Sequence, residues 1–485
     1  MVGIRSYGAY IPRHRLIREK IFEAMGWLNP ATRAWSKGEK AVANYDEDAI
    51  TMAVAAGMNC IDGINYNDLE GVYFASTSMP FQERQNAGII ATALGMSEDV
   101  RSADFSGSLR SGTSALIAAF EAVGSGGAKN LMACTSECRL SKLGSAQEMN
   151  YGDAAAAFLV SDEDVVAEYK GSFTLTSDFG DRVRGRFSKF DRQWEDRWIR
   201  DMGYENLIPR VIDGLLEKYN LEIGEFSRVI YCCHYGAARK KLNKILGIDP
   251  EKVPDIMIDK IGDMGSAQSL VMLTHALEDA TAGDKILVVS FGSGCDALYL
   301  QVTDKISDLK ERKGVSWHLA NAAELDQYQK YLAWRNIVPI ETGLRGEEDL
   351  PTRWSAIWRA NQGILGFWGS RCTQCGTPQF PRQRICVNPS CGSVDEMEAY
   401  RFSEKLGKIA SFTGDYLAAS TNPPQIYGNV VFDEGGKVMM NFTDCDLNSL
   451  HTGMPVSFSF RIKYFDERRD IYRYFWKAVP TGEDK

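Results

Sequence analysis

Two similar stretches of sequence decide the fold: GTSALIAAFEAVGSGGAKNLMAC at Gly112–Cys134 and GSAQSLVMLTHALEDATAGDKILVVS at Gly265–Ser290. Each copy begins with glycine and a small hydroxyl residue and continues as an Ala- or Leu-rich helical pattern. Each then breaks at glycine and resumes as a lysine-led apolar strand. Two copies of one helix–turn–strand pattern predict a duplicated α/β unit. The alternative is that any two helix–strand units look alike.

Other short apolar runs within the first 305 residues alternate with amphipathic stretches, as buried strands do in an α/β body. The runs are GVYFAS at Gly71–Ser76, AAAFLV at Ala155–Val160, VIYCC at Val229–Cys233 and KILVVS at Lys285–Ser290. We therefore expect residues 1–305 to form one duplicated body with layers of helices and sheets in the order αβαβα.

Four cysteines near the C-terminus have the spacing of a zinc ribbon. They read CTQC, ten residues, then CVNPSC, and are Cys372, Cys375, Cys386 and Cys391. Two close pairs supply the four thiolates of a tetrahedral zinc site, and no ligand position is left open for chemistry. The spacing predicts one structural zinc ion per chain, held in a ribbon at 366–400. The alternative is four unrelated buried thiols.

The regions on either side of the ribbon differ in character. Between Ser307 and Trp368, five tryptophans punctuate a polar stretch that predicts a helical connector at 306–365, with a turn at Asp349–Thr352. After the ribbon, short β-type segments separated by turns predict a small five-stranded barrel at 401–485. The segments are Gly407–Thr413, Gly428–Phe432, Lys437–Thr443 and Pro455–Lys463.

The bulk properties exclude several classes of function. The net charge of -9 disfavours a general nucleic-acid binder, because no broad basic field would attract phosphates. No secretory h-region begins the chain, and no run of 18 apolar residues predicts a membrane span. The 11 cysteines are an odd number, which fits a reducing cytoplasm better than a disulfide framework. We expect a cytoplasmic protein.

Several motifs make the chain similar to known families. Residues 1–304 resemble the thiolase superfamily, most closely hydroxymethylglutaryl-CoA synthases. The motifs are VGIRSYGAYIP, ADFSGSLRSGTSAL, YGDAAAAF, DKIGDMGSAQS and SFGSGCDA. Residues from about 350 to 480 resemble the zinc-ribbon and OB-fold family that accompanies such enzymes. The resemblance implies an acyl-CoA substrate in carbon–carbon bond formation or cleavage and a body that forms a homodimer. The acidic chain has no basic, aromatic-interleaved groove, which argues against oligonucleotide binding by the OB fold.

The chemistry of the resembled family needs a cysteine nucleophile, a glutamate that moves a proton, and a histidine with an asparagine that polarise an oxygen. In this sequence Leu109 stands at the cysteine position, and Thr77 stands at the glutamate position. Asp263 replaces the asparagine, and only the histidine is kept, as His234. The resemblance therefore implies that Leu109 and Thr77 mark lost catalytic positions.

His234 and Asp263 remain the candidate catalytic residues. A His/Asp pair can move protons without covalent catalysis, whereas a single histidine at a strand end can also be a satisfied core residue. Other cysteines could replace the missing nucleophile, although free cysteines are usually small buried hydrophobes. They are Cys134, Cys138, Cys232, Cys233 and Cys295.

Three functions remain open at this stage. The first is an acyl-CoA-handling subunit whose zinc/OB module docks on, or completes the CoA site of, a thiolase-superfamily partner. The second is an enzyme that carries out aldol or retro-aldol chemistry on a hydroxyacyl-CoA through His234 and Asp263, with Tyr235 as a further donor. The third, which we favour least, is a covalent acyl transferase that uses an unconventional cysteine.

Overall fold

A computed structural model of the chain describes residues 1–309, 312–341 and 352–481. These residues divide into two compact units. The first comprises Met1–Asn44, Asp48–Ala91 and Met96–Tyr328, and the second comprises Tyr45–Glu47, Thr92–Gly95 and the described part of Gln329–Lys485. The predicted boundaries at 305, 365 and 400 stay predictions. Residues 349–351 of the predicted turn lie outside the described ranges.

The elements of the first half of the body run from residue 3 to residue 161. The strands are β1 (Gly3–Tyr10), β2 (His14–Ile17), β3 (Glu39–Val42), β4 (Gly71–Ala75), β5 (Arg101–Phe105), β6 (Asn130–Glu137) and β7 (Ala154–Ser161). The helices are α1 (Arg18–Met25), α2 (Ala49–Cys60), α3 (Asn86–Ala93), α4 (Ser111–Gly124) and α5 (Ala146–Asn150). Helix α2 starts at a capping box in which Asp48 and Thr51 exchange side-chain-to-backbone hydrogen bonds.

The second half runs on to the end of the first unit. Its strands are β8 (Ala167–Thr176), β9 (Arg182–Val183), β10 (Arg192–Gln193), β11 (Arg228–Tyr231), β12 (Lys285–Phe291), β13 (Gly294–Val302) and β14 (Ala323–Leu325). Its helices are α6 (Asp196–Trp198), α7 (Glu205–Tyr219), α8 (Gly236–Leu246), α9 (Gln268–Glu278) and α10 (Val315–Ala320), and a π-helical turn at Ile199–Tyr204 joins α6 to α7. Helix α11 (Tyr328–Trp334) begins at the last residue of the first unit and otherwise belongs to the second. Strand β14 pairs with β2 in parallel, so the predicted connector is not wholly helical.

The predicted duplication is confirmed by strand order and direction. The first half has the order β5-β4-β6-β7-β1, and the second repeats the last four of these strands as β11-β12-β13-β8, with β1 and β8 joined at two residue pairs. In each half a parallel pair, β4 with β6 or β11 with β12, is followed by two antiparallel pairings. The two similar stretches of sequence therefore form α4 with β6 and α9 with β12. Each of these strands has a neighbour on both sides in its half-sheet.

The body has five layers, as the sequence predicts. Helices α4 and α9 form the middle layer and pack against both half-sheets. Helix α2 covers the outer face of the first half-sheet, and α7 and α8 belong to the core on the outer face of the second. The middle helices approach closely at their starts. A Cβ on Gly112 would lie only 2.4 Å from the carbonyl oxygen of Ser266, so glycine is needed there. That contact brings the beginnings of α4 and α9 together.

The second unit contains the zinc-ribbon segment and an all-β barrel. Its further elements are α12 (Trp354–Arg359), α13 (Asn361–Leu365), β15 (Trp368–Cys372), β16 (Pro378–Gln379), β17 (Met397–Arg401), β18 (Gly407–Asp415), β19 (Gln425–Phe432), β20 (Lys437–Asn441), β21 (Pro455–Asp466) and β22 (Ile471–Pro480). The sheet order β20-β19-β18-β21-β22 is closed by a bridge between Phe442 and Ala478. The five-stranded barrel is confirmed, and β22 is the strand that the sequence did not single out. No helix in the three described ranges is long and apolar enough to cross a bilayer.

Candidate functional site

The structure brings His234 and Asp263 together. His234 follows β11 at its carboxyl end, and Asp263 lies just before the turn that starts α9. Their Nε2 and Oδ2 atoms are 3.4 Å apart. The backbone of Asp263 is held by a parallel bridge to Tyr151, and a Cβ on Gly152 would lie 1.8 Å from the carbonyl oxygen of Ile261. Glycine is therefore required at position 152 for the approach that places Asp263.

Two arginines hold the Asp263 carboxylate, of which Arg139 is buried and Arg182 is half-buried. Arg139 lies 2.7 Å from Oδ1, Arg182 lies 3.1 Å from Oδ2, and the Gly265 amide donates to Oδ1 at 2.9 Å. Burial alone would raise the pKa of Asp263, but the charges of Arg139 and Arg182 and the hydrogen bond from the Gly265 amide outweigh it and hold that pKa far below its usual range. Asp263 is consequently an anion at any physiological pH.

His234 is neutral in this environment. Burial lowers its pKa, Asp263 opposes that effect, and the charges of Arg182 and Arg139 lower the pKa further, so that the net shift is downward. Its Nδ1 atom is buried and has no hydrogen-bond partner within the described residues. A neutral imidazole with one nitrogen directed to a carboxylate and the other unoccupied can accept a proton.

Thr77 faces a buried carboxylate from the neighbouring strand. Strands β4 and β6 are parallel with Ala75 opposite Thr135, so that the register places Thr77 beside Glu137. The Thr77 amide and hydroxyl donate to Glu137 Oε1 at 2.8 and 2.9 Å. The resemblance predicts an acid at position 77. In this structure Thr77 instead donates hydrogen bonds to the carboxylate of Glu137.

Glu137 connects the two halves of the site. Its Oε1 accepts a hydrogen bond of 2.6 Å from the Ser266 hydroxyl, and its Oε2 accepts one of 2.7 Å from the Ser78 hydroxyl. Ser266 lies three residues beyond Asp263, and Arg139 lies two beyond Glu137. The His234–Asp263 pair and the Thr77–Glu137 pair thus lie side by side, at the end of β6 and at the turn before α9.

Sequence reasoning missed Glu137, Arg139, Arg182 and Ser266. Glu137 is the last residue of β6, and Arg139 lies two residues further along the chain. The strand was predicted to end at Cys134 but extends to Glu137. Charged residues at the carboxyl end of a buried strand were the available signal. Arg182 carried no such signal, because only the tertiary fold brings it to Asp263.

Leu109 lies just before α4, at the helix start where the resemblance predicts a nucleophile. The surrounding polar atoms are occupied, since the Ser108 hydroxyl donates to the carbonyl oxygen of Gly292 at 2.5 Å. Next to Leu109, Arg110 forms an ion pair of 2.8 Å with the buried Asp296, which also accepts bonds from Thr113 and Ser114. The first turn of α4 is thus already engaged by a buried carboxylate of the protein.

The remaining candidates are Tyr235 and five cysteines. The Tyr235 hydroxyl donates to Asp196 at 2.8 Å. Burial raises the pKa of the buried or half-buried thiols, to about 12 for Cys232, Cys233 and Cys295, and well above the usual value for Cys134. None of these four is an activated thiolate. Cys138 follows Glu137 at the end of β6 and is half-buried.

The four predicted zinc ligands lie together in the second unit. All the sulfur atoms of Cys372, Cys375, Cys386 and Cys391 are within 4.8 Å of one another. The Cys372–Cys391 and Cys375–Cys386 sulfur distances are 3.8 and 3.5 Å, close to the ~3.8 Å edge of a zinc–thiolate tetrahedron with 2.3 Å bonds. The quartet fits a structural zinc ion.

Three family models match parts of the chain. The C-terminal part of 3-oxoacyl-[acyl-carrier-protein] synthase III matches residues 216–300. The rubredoxin-like zinc ribbon domain of ChsH2 matches residues 366–398, and the C-terminal OB-fold domain of ChsH2 matches residues 400–461. The predicted order of body, zinc ribbon and OB fold is therefore confirmed.

Curated relatives and solved structures resemble the body. The hydroxymethylglutaryl-CoA synthase of Thermococcus sibiricus is 32% identical over 343 residues, which are 69% of this chain and 96% of that protein. The synthase of Methanopyrus kandleri is 32% identical over 64% of this chain and 90% of its own. Among solved structures, a hydroxymethylglutaryl-CoA synthase complexed with CoA has a TM-score of 0.62 at 16% identity, covering 73% of this chain and 94% of that one. 3-Oxoacyl-[acyl-carrier-protein] synthase III from Aquifex aeolicus has a TM-score of 0.54 at 20% identity, covering 62% of this chain and 100% of its own.

Proposed function

The chain belongs to the hydroxymethylglutaryl-CoA synthase family, and from that premise we propose that it makes or breaks a carbon–carbon bond in an acyl-CoA without forming an acyl-enzyme. The observation that carries the proposal is the His234–Asp263 contact of 3.4 Å, in which the carboxylate is held by Arg139 and Arg182. Leu109 cannot form a thioester. A proton-transfer mechanism needs no nucleophile at that position.

The exchange of asparagine for aspartate changes what the histidine can do. An asparagine beside a histidine offers a second donor to a developing oxyanion. An ionised Asp263 would repel that oxyanion. Its Oδ2 lies 3.4 Å from His234 Nε2 and favours the tautomer that carries the proton on Nε2. His234 Nδ1 then carries the free lone pair, and the pair acts as a general base that Asp263 orients.

The reaction that fits this base is a retro-aldol cleavage or its reverse. His234 Nδ1 takes the proton from the hydroxyl of a β-hydroxyacyl-CoA, and the Cα–Cβ bond breaks as the new carbonyl forms. The bonding electrons pass to the Cα–thioester enolate, which collects a proton to give the shorter acyl-CoA. Arg182 is the neighbouring cation available to the enolate charge. Tyr235 is not assigned this role, because its hydroxyl donates to Asp196.

A second candidate is a subunit that handles acyl-CoA for a thiolase-superfamily partner. The match of residues 366–461 to the two ChsH2 domains favours it, since the family resembled by that module accompanies acyl-CoA enzymes. In this case the zinc/OB module docks on the partner or completes its CoA site, and the body forms a homodimer. For both candidates we propose a cytoplasmic protein that handles coenzyme A as part of the acyl-CoA.

Turnover by the isolated protein separates the candidates. The purified chain is incubated with a panel of β-hydroxyacyl-CoA thioesters, and the shorter acyl-CoA and the carbonyl product are measured by mass spectrometry. We expect cleavage that His234→Ala abolishes and that the matched control His275→Ala, at the other end of α9, leaves unchanged. Activity that appears only with a copurifying thiolase, regardless of His234, favours the subunit. A stable acetyl adduct after acetyl-CoA treatment contradicts both.

A further inference from the structure

A second cavity of the body, which we call the distal cavity, lies at the far end of α9 from the candidate site. Helix α9 begins just after Asp263 and ends at Glu278, and its 11 residues make it about 16 Å long. The lining comes from the end of α9, from β1, and from residues within 304–309 and 312–317. All of these residues belong to the first unit. The volume of about 620 Å³ is that of a small-molecule site.

Tyr7 brings a hydroxyl group to the distal cavity from β1. The pairing of β1 with β7 shifts register between Ile4 and Ser6, as at a bulge. Because of that extra residue, Ile4 and Tyr7 both belong to the core around α4 and α9 although they are three positions apart. The Tyr7 side chain is only 6% exposed, and its hydroxyl has no hydrogen-bond partner among the described residues. A ligand in the cavity can supply the partner that a buried hydroxyl normally has.

Arg312 brings an unpaired cation to the same cavity. Its Nη1 atom donates to the carbonyl oxygen of Asp62, whereas its Nε atom is buried without a partner in the part of the chain that the structure describes. Its guanidinium also forms no ion pair with a residue of those ranges. Arginines that are partly buried are normally paired. Tyr7 and Arg312 are therefore two lining residues that each have a donor without an acceptor.

Glu278 places a fixed negative charge beside these donors. Its Oε2 atom accepts a hydrogen bond of 2.5 Å from the Ser316 hydroxyl and lies 3.0 Å from His275 Nδ1. Burial would raise the pKa of Glu278, but the hydrogen bonds from His275 and Ser316 outweigh it and lower that pKa. Glu278 is therefore ionised. A side chain at Gly314 would collide with Glu278 Oε1, so glycine is needed where the chain passes this carboxylate.

The charges of Glu278 and Arg312 both act on the Tyr7 hydroxyl. Burial raises the pKa of Tyr7 to about 12, the charge of Glu278 adds to that shift, and the charge of Arg312 opposes it. Tyr7 consequently keeps its proton at neutral pH and can donate a hydrogen bond. A donor, a cation and an anion thus lie close together in one cavity.

The rest of the lining combines apolar side chains with two exposed carboxylates. Leu277 is buried, Ile306 is half-buried, and the indole of Trp317 is 43% exposed. The exposed carboxylates are those of Asp279 and Asp304. The distal cavity therefore has one guanidinium, three carboxylates and an apolar surface.

These groups determine which ligand fits. Two donors without acceptors, one of them charged, favour a carboxylate. The three carboxylates of the lining repel a simple anion, and the guanidinium repels a simple cation. A molecule that carries both a carboxylate and an ammonium group satisfies both conditions without net charge. The apolar lining leaves room for a hydrocarbon side chain on the same molecule.

We propose that the distal cavity binds a free α-amino acid with a large apolar side chain. The Tyr7 hydroxyl and Arg312 hold its carboxylate, and Glu278 faces its ammonium group. The hydrocarbon side chain packs on Leu277 and Trp317. This inference goes beyond the proposed function and does not depend on it, because no residue of the candidate site lines the distal cavity.

The exposed carboxylates would also attract a polyamine. A polyamine has no acceptor for the Tyr7 hydroxyl or for Arg312, and its charges would be repelled by the guanidinium. Its binding would leave both donors unmatched. The polyamine is accordingly an outcome of the test and not the occupant that we assign.

The test measures binding of small molecules to the full chain by titration calorimetry. The probes are L-phenylalanine, L-leucine, glycine, phenethylamine, 3-phenylpropionate and spermidine. We expect L-phenylalanine and L-leucine to bind. Phenethylamine lacks the carboxylate, 3-phenylpropionate lacks the ammonium group and glycine lacks the side chain, so that each should bind at least about tenfold more weakly than L-phenylalanine.

Two variants test the assigned donors. Tyr7→Phe removes only a hydroxyl that has no partner among the described residues, so thermal unfolding should be unchanged while the affinity for L-phenylalanine falls about tenfold. Arg312→Gln should also weaken L-phenylalanine and should not weaken phenethylamine. Tyr169→Phe is the control for the first, since the Tyr169 hydroxyl donates to Ser172 at 2.7 Å and lies outside the lining. Lys305→Gln is the control for the second, because the exposed Lys305 pairs with Asp308.

Several results would overturn the inference and leave the proposed function intact. They are unchanged affinity for L-phenylalanine in both Tyr7→Phe and Arg312→Gln, binding of spermidine or phenethylamine as tight as that of L-phenylalanine, and no binding of any probe. His234→Ala should bind L-phenylalanine as the wild type does. Loss of binding in that variant would place the amino acid at the candidate site, which also overturns the inference.

Discussion

His234 Nε2 lies 3.4 Å from Asp263 Oδ2, and the carboxylate that it meets is also held by the buried Arg139 and the half-buried Arg182. Removing charge from such a cluster is costly, because Arg139 stays buried after the anion is gone. The histidine is kept neutral by burial and by those same arginines. The cluster thus fixes the charge state of both partners, which a proton-transfer site needs and a simple scaffold does not.

Asp263→Asn should destabilise the body strongly. The substitution keeps the size of the side chain but removes the anion shared by Arg139 and Arg182, and we expect the free energy of unfolding to fall by about 3–5 kcal/mol. The pKa of His234 should fall further, since Asp263 opposes the downward shift. Urea unfolding measures the first effect, and an NMR titration of the His234 ring measures the second. Asp279→Asn, an exposed change at the end of α9, should cost almost nothing; equal stability of the two variants would contradict the account.

Stability should depend on pH through His234 with a defined sign. Its pKa in the folded protein lies below its unfolded value of about 6.5, so that the unfolded chain binds the proton first as the pH falls. The free energy of unfolding should therefore decrease from pH 7 toward pH 5 more steeply in the wild type than in His234→Gln. Unfolding of both proteins across this range isolates the contribution, because the other histidines are common to both. Parallel curves would show that His234 does not titrate in this way.

Thr77→Glu should harm the protein instead of restoring a catalytic acid. The new carboxylate would lie against Glu137, which the parallel register of β4 and β6 places beside position 77. Two adjacent carboxylates, one of them buried, should lower the free energy of unfolding by roughly 1–3 kcal/mol. The double variant Thr77→Glu/Glu137→Gln should recover much of the loss, and thermal unfolding of the three proteins measures the coupling. A fully stable single variant would mean that Glu137 does not occupy this space.

The sequence could predict the body, the ribbon and the barrel because each depends on local patterns. The repeated pattern that starts at Gly112 and Gly265 predicts a helix followed by a strand in each half. The spacing of the four cysteines predicts the zinc ligands. His234 and Asp263 were found through motifs at strand and helix ends. Glu137 and Arg182 could not be found in this way, because their roles depend on strand register and on a hairpin that folds back over the sheet. Local pattern does not encode such contacts.

The buried thiols of the body should be unreactive in the folded protein. Burial raises the pKa of Cys60, Cys232, Cys233 and Cys295 to about 12, so that almost no thiolate is present at pH 8. Alkylation with iodoacetamide, followed by peptide mass spectrometry, should label these positions slowly in buffer and rapidly in urea. Treatment with acetyl-CoA should add no acetyl group at any of them. Fast labelling of one of these residues in buffer would revive the covalent mechanism.

Zinc removal should affect the second unit and spare the body. Four thiolates hold the ion, so that Cys372→Ser leaves three and should reduce the zinc content from about one ion per chain to well below one. Because metal binding contributes directly to the folding of small ribbons, limited proteolysis should cut the variant within residues 366–400 while residues 1–305 stay protected. Cys445→Ser is the matched control, since Cys445 lies in the same unit but outside the quartet. Metal analysis by mass spectrometry should find that only the control retains the ion; full zinc content in Cys372→Ser would remove this residue from the ligand set.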